Sequence, residues 1–393
     1  MDRELLIATG PGEWRAALLE DRVPVELYVE RGDRSEAGSI HLGRVSRLLP
    51  ALGAALVDIG GDRPAFLPQR ETVPRGKKLN EGERVLVEIR REAQSGKAPR
   101  VTMAMTKAEH LQEILDRAAR LVPPARLYPQ ATCAAAFAGA LPSAPDRILA
   151  DDPVAIPDLR AAFHGVVIET LREREWPIDI DAVFAEALSE SLALPSGGSV
   201  HFEVTRTAVM IDVDSGTPDT GSPKRTGLGS NLAAVETIAK QIRLRNLAGG
   251  IVIDFVGLDD RAAGERVRGA LAQALKRDPA GPRVLGWTRL GHIELVRPRR
   301  ARPVAEALVE RHAGGALVKT PITVAHEALR ALRREALAQP GRQWRLTTAP
   351  DVAMALTGDA ALAMQDAEKR FARKITVEPD PGYRREQFQI SPL

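Results

Sequence analysis

The chain has one cysteine in 393 residues, Cys133, so it can build neither an intrachain disulfide framework nor a cysteine-based zinc site. That usage is consistent with a reducing compartment, and a cytoplasmic location is expected. Long apolar runs are missing too. No segment approaches the roughly 18 apolar residues of a membrane span, so no membrane association is expected. The charged opening Met1-Asp2-Arg3-Glu4 leads into a strand-like run rather than the apolar stretch of a signal peptide. A strong excess of one charge is also absent: the net charge is +3 and the sequence pI about 9.1. Any nucleic-acid footprint must therefore come from local clustering of cations. Aromatics make up only 4% of the chain, a scarcity attributed to genome composition, as is the abundance of alanine and arginine. There is no internal repeat and no low-complexity tail.

What remains is a globular composition, 44% hydrophobic with balanced charge, in a chain too long for one ordinary core. Residues 4–8 and 25–29 read as strands, with Gly10-Pro11-Gly12 as a turn. From Gly38 to about Met105 short strands alternate with tight turns, the pattern of a small barrel, for which an OB-fold is the natural candidate. Helices dominate from Thr106 to about Leu194, with periodic segments at 108–121 and 178–192. A strand–loop–helix–strand unit follows. Its helix is expected over 230–247, with Ser230 as N-cap and Gly249-Gly250 ending it. A second helix over 261–276 leads to strands at 283–287 and 292–296. The basic stretch 297–303 reads as a linker or a phosphate-contacting edge. The segment from Val318 onward reads as a separate small α/β unit, with an amphipathic helix marked by Ile322, Ala325, Leu329, Leu332 and Ala336.

The feature with most chemical content is a set of acids inside apolar strands, Val209-Met210-Ile211-Asp212-Val213-Asp214 and Ile251-Val252-Ile253-Asp254-Phe255. A carboxylate within a run of Val and Ile is expensive unless its charge is compensated. Residues two apart on a strand share a face, so Asp212 and Asp214 project together. If the two strands are parallel neighbours, the helix is a crossover and Asp254 lies beside Asp212. Converging carboxylates of this kind suit a hard divalent cation, Mg²⁺ with Mn²⁺ as a substitute, and imply phosphodiester hydrolysis. The alternative is that these aspartates cap turns or pair with arginines. The loop Lys224-Arg225-Thr226-Gly227-Leu228-Gly229-Ser230-Asn231 sets cations, glycines and a helix start together, a phosphate-binding arrangement or an ordinary loop. It is neither a dinucleotide fingerprint nor a Walker loop. In the barrel, Arg44, Arg47, Arg63 and Lys97 are placed to follow a nucleic-acid backbone and Phe66 to stack on a base, unless Phe66 is core and the cations are merely solvated.

These residues resemble the ribonuclease E/G endoribonucleases. The resemblance rests on Gly43-Arg44-Val45-Ser46-Arg47, Ala54–Gly60 and Phe66-Leu67-Pro68 in the barrel. It is most specific in Asn231-Leu232-Ala233-Ala234, Ile238–Arg245 and Gly250–Phe255, and it returns in Val318-Lys319-Thr320 and Glu386-Gln387-Phe388. It implies a mixed α/β (α+β) multidomain architecture. An RNase H-like domain (1–36 and 105–197) is interrupted by an OB-fold RNA-binding barrel (37–104). A DNase I-like catalytic domain (198–300) and a linker with a small C-terminal domain (301–393) follow. It further implies that Asp212 and Asp254 bind metal and that Asp214 stands where the family usually has Asn, adding charge. Phe66 would be one of two RNA-contacting aromatics, Leu56 replacing the other, and Lys97 would face RNA.

Two family features are missing. The zinc-link cysteines would fall between Arg300 and Val318, where the chain has Arg311-His312-Ala313-Gly314-Gly315. A monomer or a zinc-independent dimer, without structural zinc, is therefore expected. The inserted 5′-monophosphate sensor has no counterpart, because Lys97–Thr102 passes almost directly into the helical segment. The expected function is a compact, Mg²⁺-dependent endoribonuclease of single-stranded RNA in RNA processing or decay. It would leave 5′-phosphate and 3′-hydroxyl ends and be indifferent to the 5′ end. A non-catalytic RNA-binding or RNA-processing scaffold is the rival, and a DNA-directed nuclease shares the metal chemistry.

Overall fold

A computed structural model describes the chain except residues 1, 32–37, 62, 92–97, 106–110, 129–131, 196, 217–226, 259, 301 and 313–314. It is a mixed α/β structure in two compact units, Glu30–Gly139 and the remainder of the chain. Among the described residues no helix is long and apolar enough to cross a membrane.

The smaller unit is built on a closed five-stranded barrel. Strand Ile40–Leu49 pairs with both Ala54–Asp58 and Arg84–Arg91, and Ala65–Pro68 and Arg100–Thr102 complete the circuit. Val45, Val57, Leu67, Val85, Val87 and Val101 fill its interior, the inward half of each alternating strand. The unit extends past residue 104. Strand Ala125–Tyr128 pairs with Ile40–Leu49, and helix Leu111–Arg120 sets Ile114 and Ala118 against Ile40, Leu42 and Leu127.

The larger unit holds three sheets that matter. The N-terminal sheet has the order Val167–Thr170, Arg147–Ala150, Arg3–Thr9, Glu13–Glu20, Val23–Arg31. Its first two pairings are parallel, and Arg3–Thr9 pairs antiparallel with Glu13–Glu20. Strand Glu13–Glu20, a hairpin partner of the first strand, was not anticipated by the sequence pattern, because Ala16–Leu19 is continuously apolar instead of alternating. The central sheet runs Ser191–Ala193, Ser199–Val204, Val209–Asp214, Gly249–Asp254, Ile293–Arg297, Arg283–Trp287. Val209–Asp214 and Gly249–Asp254 are its parallel pair, joined by helix Gly227–Leu244. That helix and Arg261–Ala274 cover one face, where Ile211, Val213, Ile251 and Ile253 meet Val235, Ile238, Ile242 and Val267. In the C-terminal sheet Trp344–Thr348 lies between Ile375–Pro379 and Phe388–Pro392, packed by helix Pro321–Ala338.

Three local expectations are corrected. Ser230 is not the N-cap, since the helix already includes Gly227. Gly249 and Gly250 begin the next strand; the helix is ended instead by Asn246 in the left-handed region at φ 54°. The basic stretch from Arg297 is not a uniformly free edge. Arg297 is buried and donates to Asp278, to Asn246 and to the Leu247 carbonyl.

Candidate functional site

The strand Val209–Asp214 alternates strictly, with Val209, Ile211 and Val213 buried and Met210, Asp212 and Asp214 exposed. Asp254 likewise follows buried Ile253 on the exposed side. The acids therefore do not suffer the desolvation that their apolar neighbours suggest. A period of two turns every second side chain to water, so burial is not what calls for a cation here. Register is. Asp212 and Asp254 are direct neighbours across the parallel pair, and like charges at such a position repel. Among the described residues neither Asp212 nor Asp214 has an ion-pair partner, and Asp254 has only His292, whose Nε2 lies 3.4 Å from Oδ2.

Asp214 is partly committed. Its Oδ1 accepts the Gly216 N–H at 2.8 Å, so the turn-capping alternative holds for this residue. Gly198 makes the neighbouring turn possible: it has φ +83°, and a Cβ there would fall 2.1 Å from the Asp214 carbonyl oxygen. Among the described residues no group of three or more His, Cys, Asp or Glu side chains is gathered tightly enough to enclose a metal by itself. The fit to Mg²⁺ is still sound. That ion commonly takes one or two carboxylates and completes its shell with water and substrate phosphate.

Asn231 differs from its expected role as an RNA contact. It is fully buried. Its Nδ2 donates to the Val256 carbonyl at 2.8 Å and its Oδ1 accepts the Val256 N–H at 3.0 Å. Both halves of the amide are spent on one backbone position two residues beyond Asp254. Asn231 is thus a positioning residue that ties the start of the crossover helix to the exit of the Asp254 strand.

Sequence reasoning missed two histidines on this surface. His201 is the cross-strand neighbour of Asp212 and shares a hydrogen bond with Ser199 Oγ at 2.9 Å. His292 approaches Asp254 from the hairpin between the last two strands. Alternation of Ser199, His201 and Glu203 was visible in the sequence, but only the pairing register shows what His201 faces. Beside Asp254 a cavity of about 800 Å³ opens, lined among others by Phe255, Gly257, Arg261, Gly264, Trp287 and Leu290.

In the barrel unit, Arg44 and Arg47 are exposed and Phe66 is half-buried. Arg47 is registered with Leu56, Leu56 with Phe66, and Phe66 with Arg100. This row across four strands has cations at both ends and apolar side chains between. Arg100 is also paired with Glu71 at 3.2 Å. Lys97, Lys224 and Arg225 lie outside the described residues.

The sequence profile of the Ribonuclease E/G family matches residues 76–300 of this chain. Ribonuclease G of Salmonella typhimurium is 25% identical over 487 residues, spanning 99% of both chains. Ribonuclease G of Haemophilus influenzae is 26% identical, covering 98% of this chain and 99% of its own. Ribonuclease E of Nostoc sp. is 36% identical over 147 residues, 36% of this chain and 21% of that protein.

Proposed function

The chain belongs to the ribonuclease E/G family, and from that membership we propose that it is a metal-dependent endoribonuclease cleaving single-stranded RNA in RNA processing or decay. The observation that carries this reading is the register of Asp212 beside Asp254, two carboxylates with no lysine or arginine partner among the described residues. Asp212 and Asp254 would hold Mg²⁺, or Mn²⁺ in its place, and Asp214 would add negative potential through its remaining oxygen. When bound, the ion would supply Lewis-acid stabilisation of the phosphoryl group and a lowered pKa for water.

The chain's own residues do the rest. Asn231 holds the backbone that follows Asp254. His292 sits beside Asp254 Oδ2, where it orients the carboxylate. Arg44, Arg47, Lys97, Lys224 and Arg225 bind the RNA backbone, and Phe66 stacks on a base, more weakly than an aromatic pair because its neighbour is Leu56. The products carry 5′-phosphate and 3′-hydroxyl ends. In this reading the N-terminal sheet is RNase H-like, the barrel an OB-fold, and the central sheet with its two helices a DNase I-like catalytic domain.

Indifference to the 5′ end is part of the proposal. The Salmonella alignment is 487 positions long against 393 residues here, so the relative carries segments with no counterpart in this chain. The test uses one labelled single-stranded RNA bearing a 5′-monophosphate, triphosphate or hydroxyl, incubated with Mg²⁺. Cleavage at equal rates, abolished by Asp212→Asn, is expected. A clear advantage for the monophosphate would refute the 5′ proposal, and unaltered cleavage by Asp212→Asn would refute the catalytic one.

A further inference from the structure

We propose that the cavity beside Asp254 is a nucleobase pocket, which seats one base flanking the phosphate to be cleaved and sets base preference at that position. The proposal rests on the endoribonuclease reading and adds a substrate contact to it.

The pocket begins where the Asp254 strand ends, the place at which α/β units receive ligands. Its volume, about 800 Å³, is in the range of small-molecule sites and ample for a single base. One wall is the Trp287 ring. The ring is fixed from two sides: Nε1 donates to the Gly264 carbonyl at 3.2 Å, and Phe255 lies at a 6.3 Å centroid distance, tilted by 57°. Gly264 lies directly against the indole: a Cβ built there would sit 3.5 Å from the ring, in ordinary contact. An aromatic face held this way needs no reordering to accept a stacked base.

The rim has an exposed apolar side chain, Leu290, 83% accessible. An exposed leucine at the mouth of an aromatic-walled cavity suits a flat ligand that covers it. The charges on the lining nearly cancel. Glu265 Oε2 accepts from Arg268 Nη2 at 2.7 Å, and Asp260 Oδ1 caps its own helix through the Ala263 N–H. Such a lining has little attraction for phosphate. The Glu265–Arg268 pair presents an acceptor and a donor together, which is what a base edge requires. The base therefore enters the pocket while its phosphate stays outside, towards Asp254.

The test uses the full chain and a panel of single-stranded RNAs differing at one base on either side of a mapped cleavage site. Binding is measured in EDTA by the fluorescence anisotropy of an end-labelled RNA and cleavage in Mg²⁺. Trp287→Ala is expected to weaken binding and raise KM about tenfold, the loss of one stacked base, and to flatten preference at one flanking position. Trp287→Phe should restore most of the affinity. Glu265→Gln, on the exposed helix surface, should change which base is preferred without altering thermal stability. Parental affinity and unchanged preference in both Trp287→Ala and Glu265→Gln would overturn the pocket. If Asp254→Asn abolishes cleavage in the same series, the endoribonuclease reading survives that failure; cleavage by Asp254→Asn at the parental rate would remove the premise instead.

Discussion

Glu13→Gln should strongly destabilise the larger unit, although Glu13 is remote in sequence from every candidate catalytic residue. Its carboxylate is fully buried. Oε1 lies 2.9 Å from Arg15 Nε and 2.7 Å from Arg330 Nη1. Arg330 comes from helix Pro321–Ala338, 317 positions away, so this contact ties the start of the chain to its C-terminal helix. Both guanidiniums are buried. Burial and the neighbouring Arg15 hold the Arg330 pKa below its ordinary value. For Arg15 burial works in the same direction but is outweighed by Glu13, Glu327 and Asp181, which leave its pKa raised. Glu13 is the anion the two arginines share at closest range, so neutralising it sets two desolvated cations against each other.

Breaking a buried pair costs about 3–5 kcal/mol. The lower end applies, because Glu327 remains 3.2 Å from Arg15 and Asp181 remains 3.7 Å from Arg330. At about 2–4 °C per kcal/mol, 3 kcal/mol lowers Tm by about 6–12 °C. Calorimetry of the parent and of Glu13→Gln measures the fall, and adding Arg330→Met should recover part of it by removing the surplus cation. A Glu13→Gln protein melting within 2 °C of the parent, or a double variant less stable than the sum of the two singles, would refute this reasoning.

His41 makes the barrel sensitive to acid. Burial, and then the nearby Arg126 charge, hold its pKa below the ordinary value of about 6.5. The unfolded chain takes up this proton first. The contribution to stability is therefore complete above about pH 6.5 and lost as the pH falls towards the lowered folded value. Urea midpoints of the barrel unit at pH 8, 6.5 and 5.5 should decline, and His41→Gln should flatten the decline; parallel curves would exclude His41 as the cause. Asn231→Ala removes both partners of the Val256 backbone and should cost about 1–3 kcal/mol. Cleavage should slow while RNA affinity in EDTA stays parental. Lost affinity with unchanged stability would return Asn231 to the role of an RNA contact.

The alternation in Val209–Asp214 is complete in the sequence, and so is the barrel, whose short strands are separated by turn residues. The adjacency of Asp212 and Asp254 followed from one topological condition, parallel pairing, which the crossover helix meets. Other features were not legible because their partners are distant. Arg297 sits in a basic run, but its burial is set by Asp278 and Asn246. Asn231 looked like a polar loop residue until Val256 supplied both ends of its amide. His292 owes its place beside Asp254 to a hairpin. The ion cluster around Glu13 joins strand and helix from opposite ends of the chain. All three acids face water, so desolvation does not set them apart; they are conspicuous in the sequence because they interrupt hydrophobic runs.

The proposed chemistry stands or falls on whether the Asp212 and Asp254 carboxylates jointly hold a divalent cation, and anomalous diffraction from crystals grown with Mn²⁺ and a short RNA decides that. A peak roughly 2.1 Å from an oxygen of each residue is expected, with an RNA phosphate oxygen and waters completing the shell. A manganese peak bound elsewhere, or these two side chains occupied by lysine or arginine while the RNA is in place, would contradict it.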